Sequence, residues 1–294
     1  MANHPRRKLL KQIAAGALGM ATWPILSSGE KSATDDTLKG RIRHSVCRWT
    51  YSFLSLQALC TTAREIGISA IDLIGPAEWN ILKENGLDSS MCNGAEISLT
   101  EGWNNQAYHS TLIQRYTNHI ELVSKAGYKN LICFSGNRNG MDDETGMKHC
   151  VEGLKQIMSL AEKKGVILQM ELFNSKIDHP DYMCDKSAWG IELCKRIGSP
   201  NFKLLYDIYH MQINEGDIIR TIRNHHEYFG HYHTAGVPGR HEINDTQELQ
   251  YPAIMQAIVE TGYKGYVAQE FIPTGKTNAE KIAALRDAVH RCDV

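Results

Sequence analysis

Residues 165–207 read GVILQMELFNSKIDHPDYMCDKSAWGIELCKRIGSPNFKLLYD, and this stretch decides the fold. VILQME (166–171) is an unbroken apolar run that ends in an acid. A loop follows, then a helical stretch over 186–197, then FKLLYD (202–207), a second apolar run ending in an acid. Apolar runs without alternation belong to parallel strands covered on both faces. A strand, a helix and a strand in this order make one parallel crossover unit. The same beat continues in both directions. Upstream lie IRHSVCRW (42–49), AIDLIG (70–75), MCNGAEIS (91–98, the weakest strand) and NLICFSG (130–136), followed by helical stretches over 54–66, 76–84, 106–126 and 144–164. Gly165 stops the last of these. Downstream, a helix over 213–225 leads to YFGHYHTA (228–235), a helix over 251–261 to YVAQEF (266–271), and a helix over 278–290 closes the chain. Eight alternations without a Pro- or Gly-rich linker predict one (β/α)8 TIM barrel over residues 40–294. The rival fold, a doubly wound open sheet, would be expected to carry a GxGxxG fingerprint after an early strand, and none is present.

The acids that end the two central strands, Glu171 and Asp207, have two counterparts downstream: His233 in YFGHYH and Glu270 ending GYVAQE. The gaps of 36, 26 and 37 residues are each close to one strand-plus-helix unit. In a parallel barrel that spacing places four consecutive strand ends in one ring, on the face where such barrels do their chemistry. A single acid at a strand end could cap the next helix or meet an arginine. Four at the same place in successive units would repel one another unless a cation sat among them. Three carboxylates and one imidazole suit Mn²⁺ or Mg²⁺, with Co²⁺ or Zn²⁺ as further candidates; they are not a structural, thiolate-bound zinc set.

Other side chains fall near this ring. His210, three residues beyond Asp207, could ligate, hydrogen-bond a ligand carboxylate, hold a substrate hydroxyl or simply start a helix. His231 points to the same side as His233 if the strand is regular, so one could face the metal while the other supports it. TAGVPGRHEIN (234–244) has the marks of an active-site loop, with Arg240 able to clamp a carboxylate and Glu242 adding charge. Asn174 and Lys176 are candidates for polar contacts with a sugar or hydroxy acid. Trp49, at the first strand end, could wall the pocket.

Net charge is −1 and the basic residues are dispersed, which gives no polyanion-binding face. Residues 1–33 stand apart from the barrel. Pro5-Arg6-Arg7-Lys8-Leu9-Leu10-Lys11, an apolar run over 13–23 and a polar stretch over 27–37 read as an export signal of twin-arginine type. A periplasmic protein is therefore expected; the alternative is an amphipathic N-terminal helix. The apolar run is too short to span a bilayer, so no stable membrane span is expected in the mature chain. Eight cysteines show neither CxxC nor zinc-type spacing and are assigned to the core. Association into a homo-oligomer is left open.

VCRWTY, ELFN, YDIYHMQ, GHYHTAGVPGRHEIN and GYVAQEF, in this order, resemble the hydroxypyruvate isomerase family of xylose-isomerase-like TIM barrels. The similarity runs through nearly all of residues 40–290. It implies Glu171, Asp207, His233 and Glu270 as metal ligands, with Glu171 and Glu270 also moving protons. His210 and Arg240 fall where that family has substrate-binding groups. One position departs: the third ligand of the cytoplasmic hydroxypyruvate isomerases is commonly glutamine, whereas His233 is the choice of the ketose 3-epimerases. The implied chemistry is isomerisation of a sugar or hydroxy-keto acid through an enediolate. Three other readings are set beside it: ketose 3-epimerisation on the same site, a non-catalytic exported carbohydrate-binding barrel, and phosphodiester cleavage of the endonuclease-IV type. The last would need further histidine and acid ligands from the early strands, for which His109 and Glu96 are poor candidates, and a basic face, which the net charge opposes.

Overall fold

The structure, a computed structural model, describes residues 37–294; the expected export signal lies outside them. Eight parallel strands alternate with helices: β1 (Arg43–Cys47), α1 (Leu56–Ile66), β2 (Ala70–Asp72), α2 (Trp79–Glu84), β3 (Asp88–Ser89), α3 (His109–Ala126), β4 (Asn130–Cys133), α4 (Asp143–Lys164), β5 (Ile167–Glu171), α5 (Ser187–Ile197), β6 (Phe202–Asp207), α6 (Ile208–Asn214), α7 (Ile218–His225), β7 (Phe229–Thr234), α8 (Tyr251–Glu260), β8 (Tyr266–Gln269) and α9 (Asn278–Cys292). The sheet order is β3-β2-β1-β8-β7-β6-β5-β4, the expected barrel sequence with first and last strands paired.

The seam between β3 and β4 is closed by one residue. Cys92 pairs in parallel with Ile74 on one side and Leu131 on the other. Its N–H donates to Asn130 O at 2.9 Å and its carbonyl accepts from Ile132 N at 3.0 Å. The strand expected over 91–98 is therefore a correction: β3 is Asp88–Ser89, Cys92 adds a single bridge, and the chain then leaves the sheet. Gly94, at φ +109, makes that departure possible, because few side chains tolerate such a backbone. The single helix expected over 213–225 is also corrected. It is two helices, separated at Gly216 (φ +69) and Asp217 (φ +48). The first starts directly after β6, because the Asp207 side chain accepts the His210 N–H at 3.1 Å and caps it. That cap fixes His210 one turn beyond the strand end.

The other helices follow their sequence signals. Asp142 caps α4 by accepting from the N–H groups of Glu144 and Thr145, and Gly165 at φ +67 ends it. Thr277 and Glu280 form a reciprocal capping box on α9. β7 carries the one irregularity that matters for the site. Leu204 pairs with Phe229 and Leu205 with His231, so Gly230 is the extra residue of a bulge. A Cβ on Gly230 would lie 2.7 Å from Gln169 Oε1, so only glycine fits. Beyond the bulge, Asp207 pairs with His233.

All eight cysteines are buried and unpaired, as expected of core residues. Among the described residues no helix is long and apolar enough to cross a membrane.

His44, on β1, is a buried imidazole whose nitrogens find no hydrogen-bond partner; its Nε2 lies 3.8 Å from Asp293 Oδ1. Burial pushes its pKa down to about 4, against the pull of Asp293. Between about pH 6.5 and pH 4 the unfolded chain therefore binds a proton that the folded chain refuses, and stability falls as pH falls. The full loss is about 3 kcal/mol at 1.36 kcal/mol per unit. Urea unfolding at pH 7 and pH 4.5 should show a smaller pH difference in His44→Gln than in the wild type. Equal differences would remove His44 as the source.

Candidate metal centre

The ligand ring forms from the ends of the last four strands. Glu171 ends β5, Asp207 ends β6, His233 lies in β7 and Glu270 follows β8. All four are buried, and one ligand atom from each lies within 4.8 Å of every other. His233 Nδ1 is 2.8 Å from Glu270 Oε2 and 3.2 Å from Glu171 Oε1. Yet Nδ1 and Glu171 Oε1 each lack an aligned hydrogen-bond partner. Close contact without hydrogen-bond alignment is what ligands pointing at a shared centre produce.

The electrostatics agree. Burial pushes the Asp207 carboxyl up to about 8 and the Glu171 carboxyl up to about 7, despite the nearby positive charge of Arg240 and His233. Burial acts on Glu270 in the same direction, but Arg240, His233 and the indole of Trp49 outweigh it and hold it well below the usual range. For His233, burial opposes the charged form, and the carboxylates of Glu270 and Asp72 overcome it. Three acids crowded around one imidazole and one guanidinium are short of positive charge. A divalent cation with oxygen and nitrogen donors supplies it. The residues therefore fit a metal ion of the class expected.

Each remaining candidate has a definite place. Trp49 donates its indole N–H to Glu270 Oε1 at 2.8 Å and walls the pocket. Arg240 Nη2 lies 2.6 Å from Glu270 Oε2 and 3.6 Å from Asp207 Oδ2, with its guanidinium between the rings of Trp49 and Tyr209. Its backbone sits at φ +58, a conformation costing about 1–3 kcal/mol that persists where surrounding contacts over-determine it. Here the Glu270 pairing and the bond from Ile272 N to Arg240 O, 2.7 Å, do so.

His210 is fully buried with Nε2 3.5 Å from Asp207 Oδ2. Asn174 assigns its tautomer. The amide oxygen accepts from the N–H groups of Ile177 and Asp178, at 3.1 and 2.9 Å, so the amide nitrogen faces His210 Nδ1 at 2.7 Å. Nδ1 must then accept, and the ring proton is on Nε2, which has no aligned acceptor. Asn174 itself is fully buried behind His210 and does not line the pocket.

Lys176 turns away from the ring, binding the carbonyls of Ile213 and Asn214 at the end of α6. Glu242 accepts from Thr274 N–H and hydroxyl and ties the 234–244 loop to the segment after β8. His109 packs elsewhere, its Nε2 2.9 Å from Trp103 O, whereas Glu96 reaches the pocket rim.

Above the ring lies a cavity of about 360 Å³. Leu73, Leu99, Ile132, Phe134 and Phe173 give it a largely apolar wall, and His179 stacks on Phe173 with ring centroids 4.1 Å apart. Two important groups were not singled out in the sequence. His179 lies in a loop of no regular pattern. Asp72 was legible in principle, as an acid ending a strand, but Leu73 and Ile74 carry the apolar run past it and hide the strand end.

The fold and this centre define a family, and the comparisons agree. The sequence profile of the xylose isomerase-like TIM barrels matches residues 61–288, and the chain belongs to that family. Among curated relatives, the 2-oxo-tetronate isomerase of Cupriavidus necator is 35% identical over 129 residues, covering 44% of this chain and 49% of that one. The hydroxypyruvate isomerase of Escherichia coli is 30% identical over 161 residues, covering 54% and 62%. These matches span about half, and somewhat more than half, of those relatives' lengths. Among solved structures, a D-psicose 3-epimerase with D-tagatose, from Clostridium cellulolyticum, superposes with a TM-score of 0.71 at 16% identity, covering 85% of this chain and 98% of that one. That likeness is one of fold.

Proposed function

We propose that the protein is a metal-dependent isomerase of a small sugar or hydroxy-keto acid, similar to hydroxypyruvate isomerase and acting through an enediolate. The observation that carries this is the pair of carboxylates, Glu171 and Glu270, both in contact with the same imidazole nitrogen and so flanking one centre. The relatives named as isomerases support it. A divalent ion, Mn²⁺ or Mg²⁺ foremost, held by Glu171, Asp207, His233 and Glu270 would polarise a substrate carbonyl and stabilise the enediolate charge. One glutamate takes the proton from the carbon beside the carbonyl and returns it to the neighbouring carbon, while the hydroxyl proton passes to the former carbonyl oxygen, exchanging ketone and aldehyde. Arg240 and Trp49 hold Glu270 in place while the apolar wall excludes water from the reacting carbon.

Ketose 3-epimerisation is the second reading, with the opposite glutamate returning the proton to the other face of the same carbon. Two features favour it. The resemblance read from the sequence gives histidine at position 233 to the ketose 3-epimerases, and among the described residues Arg240 is the one arginine or lysine lining the cavity, already engaged by Glu270. An uncharged ketose suits such a cavity better than a keto acid, whose carboxylate needs a free partner. Solvent deuterium exchange, measured on hydroxypyruvate and a panel of ketoses with added Mn²⁺, separates the cases. The substrate that exchanges fastest identifies the reaction. Metal uptake without exchange on any substrate would instead favour a non-catalytic carbohydrate-binding barrel.

Export to the periplasm by the twin-arginine route is part of the proposal, carried by Arg6 and Arg7. Fractionation of cells expressing the Arg6→Lys, Arg7→Lys variant should find it in the cytoplasm; undiminished export would sink the assignment.

A further inference from the structure

We infer that Asp72 is the positioning residue that makes His233 a metal ligand through Nδ1. The inference rests on the metal-centre reading above but not on isomerase activity. Asp72 ends β2, on strands remote from the ligand ring, and is fully buried. Its carboxylate meets four potential donors. His233 Nε2 lies 2.9 Å from Oδ1 and His231 Nε2 lies 2.8 Å from Oδ2. Ser90 donates its hydroxyl to Oδ2 at 2.5 Å, and the Cys47 thiol lies 3.5 Å from Oδ1.

A carboxylate only accepts, so the bond to Oδ1 places a proton on His233 Nε2. Without metal the surrounding carboxylates keep the ring charged, so Nδ1 carries a proton as well; a cation at the point shared by Glu171, Asp207 and Glu270 would displace that proton and leave Nδ1 to coordinate. Left alone, the ring would not choose this state. Glu171 and Glu270, 3.2 and 2.8 Å from Nδ1, attract a proton to that nitrogen, where it would block coordination. When a cation displaces that proton, the anion at the far nitrogen, Asp72, keeps the remaining one on Nε2. Ser90 holds its second oxygen by a hydrogen bond, which keeps the carboxylate plane turned toward His233. His231 and His233, two residues apart in the regular part of β7 beyond the bulge, lie on one side of the strand and both approach Asp72.

Asp72→Asn keeps the shape and removes the anion. In metal-stripped protein, titrated with Mn²⁺ against a competing chelator, this variant should bind about 10–100-fold more weakly than the wild type, the usual effect of losing such a partner. Ser90→Ala, which leaves the carboxylate in place, should weaken binding less. A folded Asp72→Asn protein with wild-type affinity overturns the inference. A second measurement needs no variant: ¹⁵N-histidine spectra of the wild-type chain loaded with diamagnetic Zn²⁺. Metal at Nδ1 of His233 with a proton on Nε2 supports the inference; metal at Nε2 overturns it, whether or not the variant folds. A protein that passes both tests but exchanges no substrate proton refutes the isomerase reading alone. One that takes up no metal refutes both.

Discussion

Glutamine at one of Glu171 and Glu270 for an isomerase, and at either of them for an epimerase, is expected to reduce turnover by about 10²–10⁴-fold, the usual contribution of a positioned general base, while the barrel stays folded. The amide matches the carboxylate in shape and can still accept from Trp49 at position 270, so packing is preserved. What is lost is the ability to take a proton from carbon. Each substitution also removes one negative charge from the ligand ring, so weaker metal binding could imitate a catalytic defect. Assays at saturating Mn²⁺ separate the two, because a ligand defect is overcome by mass action and a missing base is not. An isomerase needs one proton-moving glutamate and an epimerase needs two. A near-normal rate in one variant at saturating metal would thus exclude the epimerase reading, and near-normal rates in both would exclude the enediolate chemistry altogether.

Stripping the metal is expected to abolish proton exchange, and Mn²⁺ is expected to restore it. Stability should move with it. A ligand bound only by the folded chain, at 100 times its Kd, adds about 2.7 kcal/mol. The pH dependence has a definite sign. Without metal, burial raises Asp207 to about 8 and Glu171 to about 7, so both hold protons near neutrality that the ion must displace. Apparent affinity should therefore rise with pH up to about 8, with proton release on binding. Affinity that is independent of pH from 6 to 8 would show that these carboxyls are already ionised. Activity that survives exhaustive chelation would remove the metal from the mechanism.

Much of the fold could be read because its strands are buried on both faces and so appear as plain apolar runs. VILQME and FKLLYD survive almost unchanged as β5 and β6. The four candidate ligands were legible for the same reason, since each sits where an apolar run meets a polar group. What failed was local and has local causes. MCNGAEIS carries too few apolar residues to form a strand, and a lone bridge at Cys92 does its work. The helix after β6 could not be placed because its start depends on the Asp207 cap. In the sequence Asp207 marks only a strand end, yet in space it caps α6 and stands in the candidate ligand ring. Asn174 sits close to Glu171 in sequence, which suggested a surface for substrate. Its amide is turned inward by two backbone N–H groups four residues or fewer away, a turn geometry that no periodicity reveals.

The single-residue closure at Cys92 divides the barrel mechanically. β5 and β6 are paired over four residues, and the ligands ride on that continuous sheet from β5 to β8. β2 and β3 are paired over two, and the segment leaving Cys92 carries Asn93, Glu96 and Leu99 into the cavity wall. Much of the cavity wall, Leu73, Asn93, Glu96 and Leu99, thus comes from a different part of the barrel than the four strand ends that carry Glu171, Asp207, His233 and Glu270. Asp72 of β2 links the two parts at His233, so a change in the wall reaches the ring through that one contact.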